Sequence, residues 1–524
     1  MQPVSAPHSR GALYVQTRAI GSLLLLLLVV TAAGCASIVR QGGLSEVQEL
    51  ASKRGVTENL QWRDDEAAGE AQQEAVQRLL AHDLSVDAAV QLALLNNPSL
   101  QATYEELGLA QADVVQAGLL KNPSFTAAAL FGAVSPSYDF DLVQNFLDAL
   151  LIPARTRITE AQFEQARLRV AADVFELTTK VRAAFYTLQG AEQLVDVLRL
   201  VLESTEASSD FAKDLNAAGN LNDLELATER ALVEDVRAQL MRAQADTVEP
   251  REELRELLGL SGANVRWQIA GTLPGVPHHD PALQDLLEQA RNSSLELAAA
   301  NKQRVVLAET LDTARTWRYF GAVEVGAETH REQGEKNWVQ GPSLSLELPI
   351  FDQRQAELFR LESQLRQSQR RAETVALSVA ANVRRAYGAL DSARTLSEHY
   401  RIALLPVRKR VVALSQEHYN FMLLGAFDLL RAKREEITGY SDYVQAVRDY
   451  WIARARLEQA VGARIPLEGP LESSSVSLAE TPDSMGSMNH AHHHGGSGSA
   501  EGSAASATSS TTSSPAAGHH HGEH

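Results

Sequence analysis

The stretch Val181-Arg182-Ala183-Ala184-Phe185-Tyr186 recurs 202 residues later as Val383-Arg384-Arg385-Ala386-Tyr387. At the same offset, each copy lies within a series of mostly small apolar residues spaced three and four apart. The first series is Phe163, Ala166, Val170, Val174, Leu177, Val181, Ala184 and Leu188, and the second is Leu365, Ser368, Ala372, Ala376, Val379, Val383, Ala386 and Leu390. This spacing is typical of the seam of a coiled coil. Two long helices therefore decide the fold.

Other markers repeat in the same order around these helices, which indicates an internal duplication. They are Asn97-Pro98-Ser99-Leu100 with Asn292-Ser293-Ser294-Leu295, Gly219 before Asp223-Leu224 with Gly425 before Asp428-Leu429, and Leu257-Leu258-Gly259 with Ala460-Val461-Gly462. The predicted repeats are residues 81–262 and 281–465, joined by a linker at 263–280.

Each repeat is predicted to have the same order of helices. A first helix (84–119 and 281–316) precedes a long helix (154–214 and 353–422). A tight break at Gly219 or Gly425 leads into a last helix (221–259 and 427–462), and Pro406 should kink the second long helix. A 60-residue helix is about 90 Å long. A long helical rod or hollow helical cylinder is therefore expected, with a two-stranded coiled coil as the alternative.

Between the first and the long helix, each repeat has a segment with the two-residue period of a strand. In the second copy, Leu344, Leu346 and Leu348 alternate with polar residues. The strands are predicted at about 124–146 and about 320–348, and about ten residues each suits a membrane β-strand. Four strands cannot close a barrel, so a barrel shared in a symmetric homo-oligomer is expected. The alternative is two hairpins that cap a soluble rod.

The N-terminal residues have the features of an export signal. Residues 1–34 carry Arg10 and Arg18, no acidic residue, and a short apolar run. This is typical of a signal peptide, and the run is too short to span a bilayer. Small residues then precede Cys35, as in a bacterial lipobox, where the cysteine is lipidated. An ordinary secretory peptide with an incidental Cys35 is the alternative. Residues 35–80 would form an N-terminal periplasmic segment.

Composition excludes several classes of function. The 524-residue chain carries a net charge of −18, which argues against nucleic acid as a partner. One cysteine excludes an internal disulfide framework. The sequence contains no nucleophile–base constellation, phosphate loop or metal motif of fixed spacing, so an enzyme is not predicted and no cofactor is required.

The C-terminal segment 466–524 has a disordered, Ser/Ala/Gly-rich composition that contains two histidine clusters. Imidazoles and thioethers bind copper and other transition metals. The candidate ligands are His490, His492, His493, His494, His519, His520, His521 and His524, with Met485 and Met488. An idle low-complexity tail or an engineered tag is the alternative.

Over about residues 80–465 the chain resembles the TolC-type outer membrane efflux family, in its lipoprotein branch. The matching motifs are the lipobox at Cys35, Asn96-Asn97-Pro98-Ser99-Leu100, Gly118-Leu119-Leu120-Lys121-Asn122-Pro123, Leu348-Pro349-Ile350-Phe351-Asp352 and Leu404-Leu405-Pro406. The resemblance implies a mainly α protein with a membrane β-barrel: a homotrimer with a 12-stranded barrel in outer membrane lipid and a long α-barrel in the periplasm.

The resemblance also implies partners and a gate. A periplasmic adaptor and an inner-membrane transporter would dock at the helix-hairpin tips, 218–221 and 424–427. Asp223 and Asp428 follow the tip residues Gly219 and Gly425. One interpretation is that both are N-cap or first-turn acids, which the helix dipole favours. The other is that in a trimer each forms a ring of three carboxylates that selects cations.

Export of a heavy metal such as copper or silver through this channel is the leading hypothesis, with multidrug efflux as the same channel's alternative. A second class is a lipid-anchored periplasmic protein that buffers metal.

Overall fold

The computed structural model describes residues 41–63, 66–131, 136–262, 266–332 and 337–467. All of them fall in one unit of the chain. The predicted signal peptide, Cys35, and the histidine and methionine residues of the tail lie outside the described residues.

The described elements follow the predicted order of two repeats. They are α1 Leu44–Ser52, α2 Glu66–Leu80, α3 Val86–Asn96, α4 Pro98–Gly118, β1 Ser124–Phe131, β2 Pro136–Asn145, α5 Phe146–Ala217, α6 Asp223–Asp246, α7 Val248–Leu257, α8 Leu283–Ser293, α9 Leu295–Trp317, β3 Val323–Arg331, β4 Val339–Leu346, α10 Gln355–His399, a π-helical turn Tyr400–Leu404, α11 Leu405–Asn420 and α12 Ala426–Val461.

The first long helix, α5, begins eight residues before the predicted start at 154. The Asn145 side chain accepts a hydrogen bond from the Asp148 backbone N–H at 3.1 Å, which caps the helix. Pro153 lies inside the helix, and the Arg155 guanidinium donates to the Asp148 carbonyl. The helix therefore continues through Pro153 and extends beyond the predicted range 154–214 at both ends. With 72 residues, α5 is about 108 Å long.

The second long helix is interrupted, as Pro406 led us to expect. Helix α10 ends at His399, a single π-helical turn covers Tyr400–Leu404, and Pro406 lies in the first turn of α11. Proline lacks the N–H that an interior helical position requires, and the wider turn before it removes that requirement.

The predicted first helix of each repeat is in fact two helices, which corrects the single helices expected at 84–119 and 281–316. Asn97 caps α4 by accepting from the Leu100 N–H, and Ser294 caps α9 by accepting from the Leu297 N–H. The last helix of the first repeat also divides at Thr247, whereas α12 is continuous. Polar caps at internal positions explain the two breaks in the first helices.

The first and last helices of a repeat meet end to end at these breaks. In the first repeat, the Asn96 amide donates to the Leu258 and Gly259 carbonyls at 3.0 and 2.8 Å, and the Asn97 amide donates to Leu257. Gly259 has φ 66°, and a Cβ there would lie 2.3 Å from the Asn96 carbonyl oxygen. Gly462 has φ 75°, and a Cβ there would lie 3.3 Å from the Ser293 carbonyl oxygen, a less crowded version of the same contact. Only glycine suits this left-handed, crowded position.

The core follows the predicted seam of α5. Six of its eight positions are buried, and Ala166 and Leu177 are half-buried. Helix α5 packs against α4, α6, α9 and α12. In the second copy, Ser368, Ala372, Val379, Val383 and Leu390 are buried, whereas Ala376 is exposed. The seam of α10 is therefore only partly covered within one chain.

The N-terminal strap, residues 41–63, joins the two repeats. The Arg54 guanidinium donates to the Ser293 carbonyl at 2.8 Å, and the Arg54 carbonyl accepts from the Arg464 N–H at 2.8 Å. At the far end of the strap, the Trp62 indole donates to Glu105 at 3.0 Å. These bonds tie the strap to the first repeat and to both ends of the second.

The four strands form one antiparallel sheet in the order β1-β2-β3-β4. The hairpins of the two repeats are thus joined through the β2–β3 pair, in which Phe140 lies opposite Thr329. Among the described helices, none combines the length and the apolar composition needed to cross a membrane.

Candidate channel surfaces: the sheet and the hairpin tips

The sheet has one polar and one apolar face, as the alternating pattern predicted. Asp139 and Asp141 of β2 lie opposite His330 and Glu328 of β3, and Glu324 lies on the same face. The His330 imidazole and the Asp139 carboxylate are 3.0 Å apart. Four carboxylates on this face repel one another unless water or cations screen them. This face is therefore suited to an aqueous environment.

The opposite face is apolar and largely exposed in a single chain. It carries Phe125, Phe140, Leu142, Val325 and Leu344, of which Leu344 is 73% exposed. The Phe125 and Phe140 rings stack with centroids 6.2 Å apart. An exposed apolar face of this kind is typical of a surface that meets lipid or another chain.

The two outer edges of the sheet have no partner strand within the described residues. All residues of β1 are exposed, and β4 is exposed except at Ser343. β1 pairs only with β2, and β4 pairs only with β3. Open edges present unpaired N–H and C=O groups that template pairing with another chain.

The first hairpin tip turns where the sequence predicted. Gly219 has φ 76°, and α6 starts at Asp223 with a capping box made by Asn222 and Glu225. Asp223 is therefore a first-turn acid rather than the N-cap. Its carboxylate accepts from the Asn216 amide at 3.1 Å, which ties the end of α5 to the start of α6.

The second tip differs from the prediction of a tight break at Gly425. Gly425 has φ −73°, which any residue adopts, whereas Met422 has φ 56° and is 94% exposed. The tight turn is thus made three residues earlier, where the end of α11 unwinds. Asp428 lies in the first turn of α12 and pairs with Arg431 at 2.6 Å.

The two tips are neighbours. The Phe211 and Phe427 rings lie 6.2 Å apart, which brings the end of α5 beside the start of α12. Gly219, Asp223, Gly425 and Asp428 therefore come from two adjacent helix hairpins. Their role as a gate stays a prediction.

A buried ionic cluster was not identified from the sequence. Asp280, at the end of the predicted linker, accepts from Arg394 at 2.6 Å, from Arg454 at 2.9 Å and from the Tyr450 hydroxyl at 2.8 Å. The Asp280 and Arg454 side chains are 8% and 4% exposed. Burial raises the pKa of Tyr450 to about 12, so its hydroxyl stays protonated and donates. The cluster fixes the linker to α10 and α12.

Glu458 lies next to this cluster, one turn after Arg454 on α12. Its carboxylate accepts from the Ile465 backbone N–H at 3.1 Å and approaches the Arg454 guanidinium at 3.8 Å. Burial raises the pKa of Glu458, and nearby arginines only partly offset this effect. An acidic group thus lies in an environment that disfavours its charge.

The repeated Val-Arg motif has different environments in its two copies. Arg182 is buried and pairs with Asp87 at 2.7 Å and with Glu58 of the strap at 3.5 Å. Its counterpart Arg384 is exposed. The strap helix α1 packs against α5, and Glu58 of the strap reaches Arg182, which explains the burial of the first copy of the motif.

Within the described residues, no group of three or more His, Cys, Asp or Glu side chains could hold a metal ion. The predicted metal ligands of the tail, Met485, Met488 and the eight histidines, lie outside those residues, as does Cys35. A metal site therefore stays a prediction based on the sequence alone.

The architecture of two long helix hairpins and a four-stranded sheet resembles that of TolC-type channel proteins. Residues 89–260 match the model of the outer membrane efflux protein family. The match lies within the first repeat and confirms the predicted resemblance.

Known proteins of this class resemble the chain over most of its length. The cobalt-zinc-cadmium resistance protein CzcC of Cupriavidus metallidurans is 22% identical over 390 residues, 74% of this chain and 91% of CzcC. The fold matches CusC, with a TM-score of 0.60 and 16% identity over 73% of this chain and 92% of CusC. It also matches the CmeC outer membrane channel of Campylobacter jejuni, with a TM-score of 0.60 and 14% identity over 77% and 89%.

Proposed function

We propose that the chain is one protomer of a homotrimeric outer membrane efflux channel, in which three four-stranded sheets close one barrel of twelve strands. The observation that carries the proposal is the sheet itself, with one apolar face, one acidic face and two open edges. Because an unpaired strand edge is not tolerated in lipid, β1 of one chain would pair with β4 of the next.

The helices support assembly in the same way. Large apolar side chains on α10 and α11, and on the π-helical turn between them, remain exposed in the single chain. They include Phe359 at 67%, Leu377 at 74%, Ile402 at 63% and Val407 at 60% exposure. A neighbouring copy would bury this face and complete the partly covered seam of α10, which gives a closed helical barrel.

The test uses the face alternation of β4. Leu344 lies on the apolar face and Ser343 on the polar face. If the apolar face meets lipid, Leu344→Arg should prevent insertion into the outer membrane, because arginine there costs about 2–4 kcal/mol near the bilayer centre. Ser343→Arg is the matched control and should still insert.

Wild-type protein extracted in detergent should have a mass near three protomers. A clean monomer, or equal insertion of both arginine variants, would contradict the channel proposal and favour a periplasmic rod.

For the cargo we propose a heavy metal, with copper, silver or a similar ion as the leading class. Two observations support this choice: the similarity to a cobalt-zinc-cadmium resistance protein, and the histidine- and methionine-rich tail. Neutral imidazole and thioether are ligands for such metals. Multidrug efflux by the same channel is the alternative cargo.

The remaining assignments follow from the channel proposal. The adaptor and the inner-membrane transporter would engage the periplasmic tips around Gly219 and Gly425. Cys35 would carry the lipid that anchors the mature N-terminus in the outer membrane. The strap, which starts six residues after Cys35, would then connect the anchor to both repeats.

A further inference from the structure

We propose that Arg331, held between Tyr138 and Trp338, binds the phosphate of an anionic lipid headgroup in the outer leaflet of the membrane. The proposal rests on the channel function, because it requires the apolar face of the sheet to meet lipid. The observation that supports the proposal is the contact of one arginine with two aromatic rings on that face.

The three residues form one row across three strands. Tyr138 of β2 lies opposite Arg331 of β3, and Trp338 immediately precedes β4, one residue beyond the pair His330–Val339. The Arg331 guanidinium carbon lies 4.9 Å from the centroid of the Tyr138 ring and 5.1 Å from that of Trp338. Two cation–π contacts fix the plane of the guanidinium.

The row lies at the end of the sheet that is distant from the helices, and it continues the apolar face. Phe140, one row closer to the helices, has its ring 5.8 Å from that of Trp338. No carboxylate ion pair of Arg331 occurs within the described residues, whereas the acids Asp139 and Glu332 pair with His330 on the polar face. Arg331 is thus a cation held between two aromatic rings, and the described strand residues on its face include no acid.

A second aromatic band marks the opposite end of the same strand. The Trp317 and Phe320 rings are 5.5 Å apart, and the Arg318 guanidinium lies 4.3 Å from the centroid of the Tyr319 ring. Strand β3 runs from three residues after Phe320 to Arg331, and its nine residues span about 30 Å along the strand. At the tilt of membrane strands, about 23 Å of this lies along the membrane normal, which fits an apolar band of about 25 Å.

These positions identify the ligand class. Aromatic residues at both ends of the apolar band lie at the level of the lipid headgroups. A planar guanidinium matches the oxygens of phosphate and binds them with two parallel hydrogen bonds. At the distant end of the sheet, the headgroups are those of the outer leaflet. The structure therefore assigns a lipid phosphate, rather than a protein carboxylate, as the partner of Arg331.

The test measures lipid retained by the purified trimer, transferred into nanodiscs of phosphatidylcholine with a small fraction of phosphatidylglycerol. Native mass spectrometry counts the phosphatidylglycerol bound per trimer. Arg331→Gln should lower its apparent affinity about fivefold, the effect of one arginine near an anionic membrane surface. Arg331→Lys keeps the charge but loses the planar fork, so its affinity should be intermediate.

Arg370→Gln is the matched control, because Arg370 is an exposed arginine that lies on α10 rather than on the sheet. It should retain lipid like the wild type, and millimolar inorganic phosphate should not displace the lipid. Equal retention by Arg331→Gln, or displacement by inorganic phosphate, would overturn the lipid site while leaving the channel intact. A wild-type chain that forms no membrane trimer would overturn the channel proposal, and the lipid site with it.

Discussion

Asp280 and Arg454 form a buried ion pair at 2.9 Å although 174 residues separate them in the chain. Asp280 also accepts from Arg394, so its carboxylate contacts two guanidinium groups, that of buried Arg454 and that of half-buried Arg394. It joins the end of the inter-repeat linker to the long helix α10 and to the last helix α12. The second repeat is thereby held together by an interaction that has no counterpart among the repeated motifs.

Asp280→Asn should therefore lower the thermal stability of the protein strongly. Removing one partner leaves buried arginine charge uncompensated, which costs about 3–5 kcal/mol. Differential scanning fluorimetry in detergent measures the unfolding temperature. Asp449→Asn is the control, because Asp449 is 53% exposed and pairs only with the adjacent Arg448. Its effect should be within about 1 kcal/mol, and equal effects of the two variants would contradict a role for burial.

Glu458 should make stability depend on pH. Because the folded state raises its pKa above the ordinary value of 4.5, the folded chain binds the proton more tightly than the unfolded chain. Its contribution to stability is therefore present at low pH and is lost as pH rises through the folded pKa. Glu458→Gln removes this dependence.

The measurement for Glu458 compares the two proteins at several pH values. The unfolding temperature of Glu458→Gln minus that of the wild type should become more positive from pH 4 towards pH 7. A difference that stays constant, or that becomes more negative, would show that Arg454 and Arg182 fully stabilise the carboxylate charge.

Asp428 at the second tip distinguishes a gate from a structural acid. If the carboxylate faces the lumen of a trimer, Asp428→Asn should weaken the preference for cations in single-channel recordings. If it serves only the first turn of α12 and its pair with Arg431, selectivity should be unchanged and stability should fall by about 0.3–1 kcal/mol. Arg431→Gln breaks the same pair without removing the acid, so it should leave cation preference in place.

Cys35 should carry the lipid anchor. Cys35→Ser should abolish labelling by a fatty-acid analogue, because the thiol is the acylated group of a lipobox and is the chain's only cysteine. Under the proposed channel function, membrane insertion should persist, since the apolar face of the sheet would be an independent anchor. Unlabelled wild-type protein would disprove lipidation without affecting the channel proposal.

The helical and strand periods were readable from the sequence because each depends on local side-chain spacing. The α5 seam and the alternation around Asp139 and Leu344 both appear as predicted. Helix boundaries were less predictable where the deciding contact is distant: the break at Asn97 depends partly on the Leu257 carbonyl, 160 residues away. Asp280 could not be identified because its partners come from two other helices. Its position at the end of a linker was the only signal.

The tail can be tested without altering any described element. Residues 485–524 contain both histidine clusters and follow the last described residue, 467. Deleting them should leave trimer mass and drug-type conductance unchanged, while tolerance to copper or a similar metal should fall.

The isolated tail peptide should bind the metal, as measured by calorimetry, with an affinity that declines below about pH 6 as the imidazoles become protonated. A peptide with all eight histidines replaced by glutamine is the control. Unchanged tolerance, together with no micromolar binding by the wild-type peptide, would reduce the tail to a linker and leave the resemblance to CzcC as the remaining support for a metal cargo.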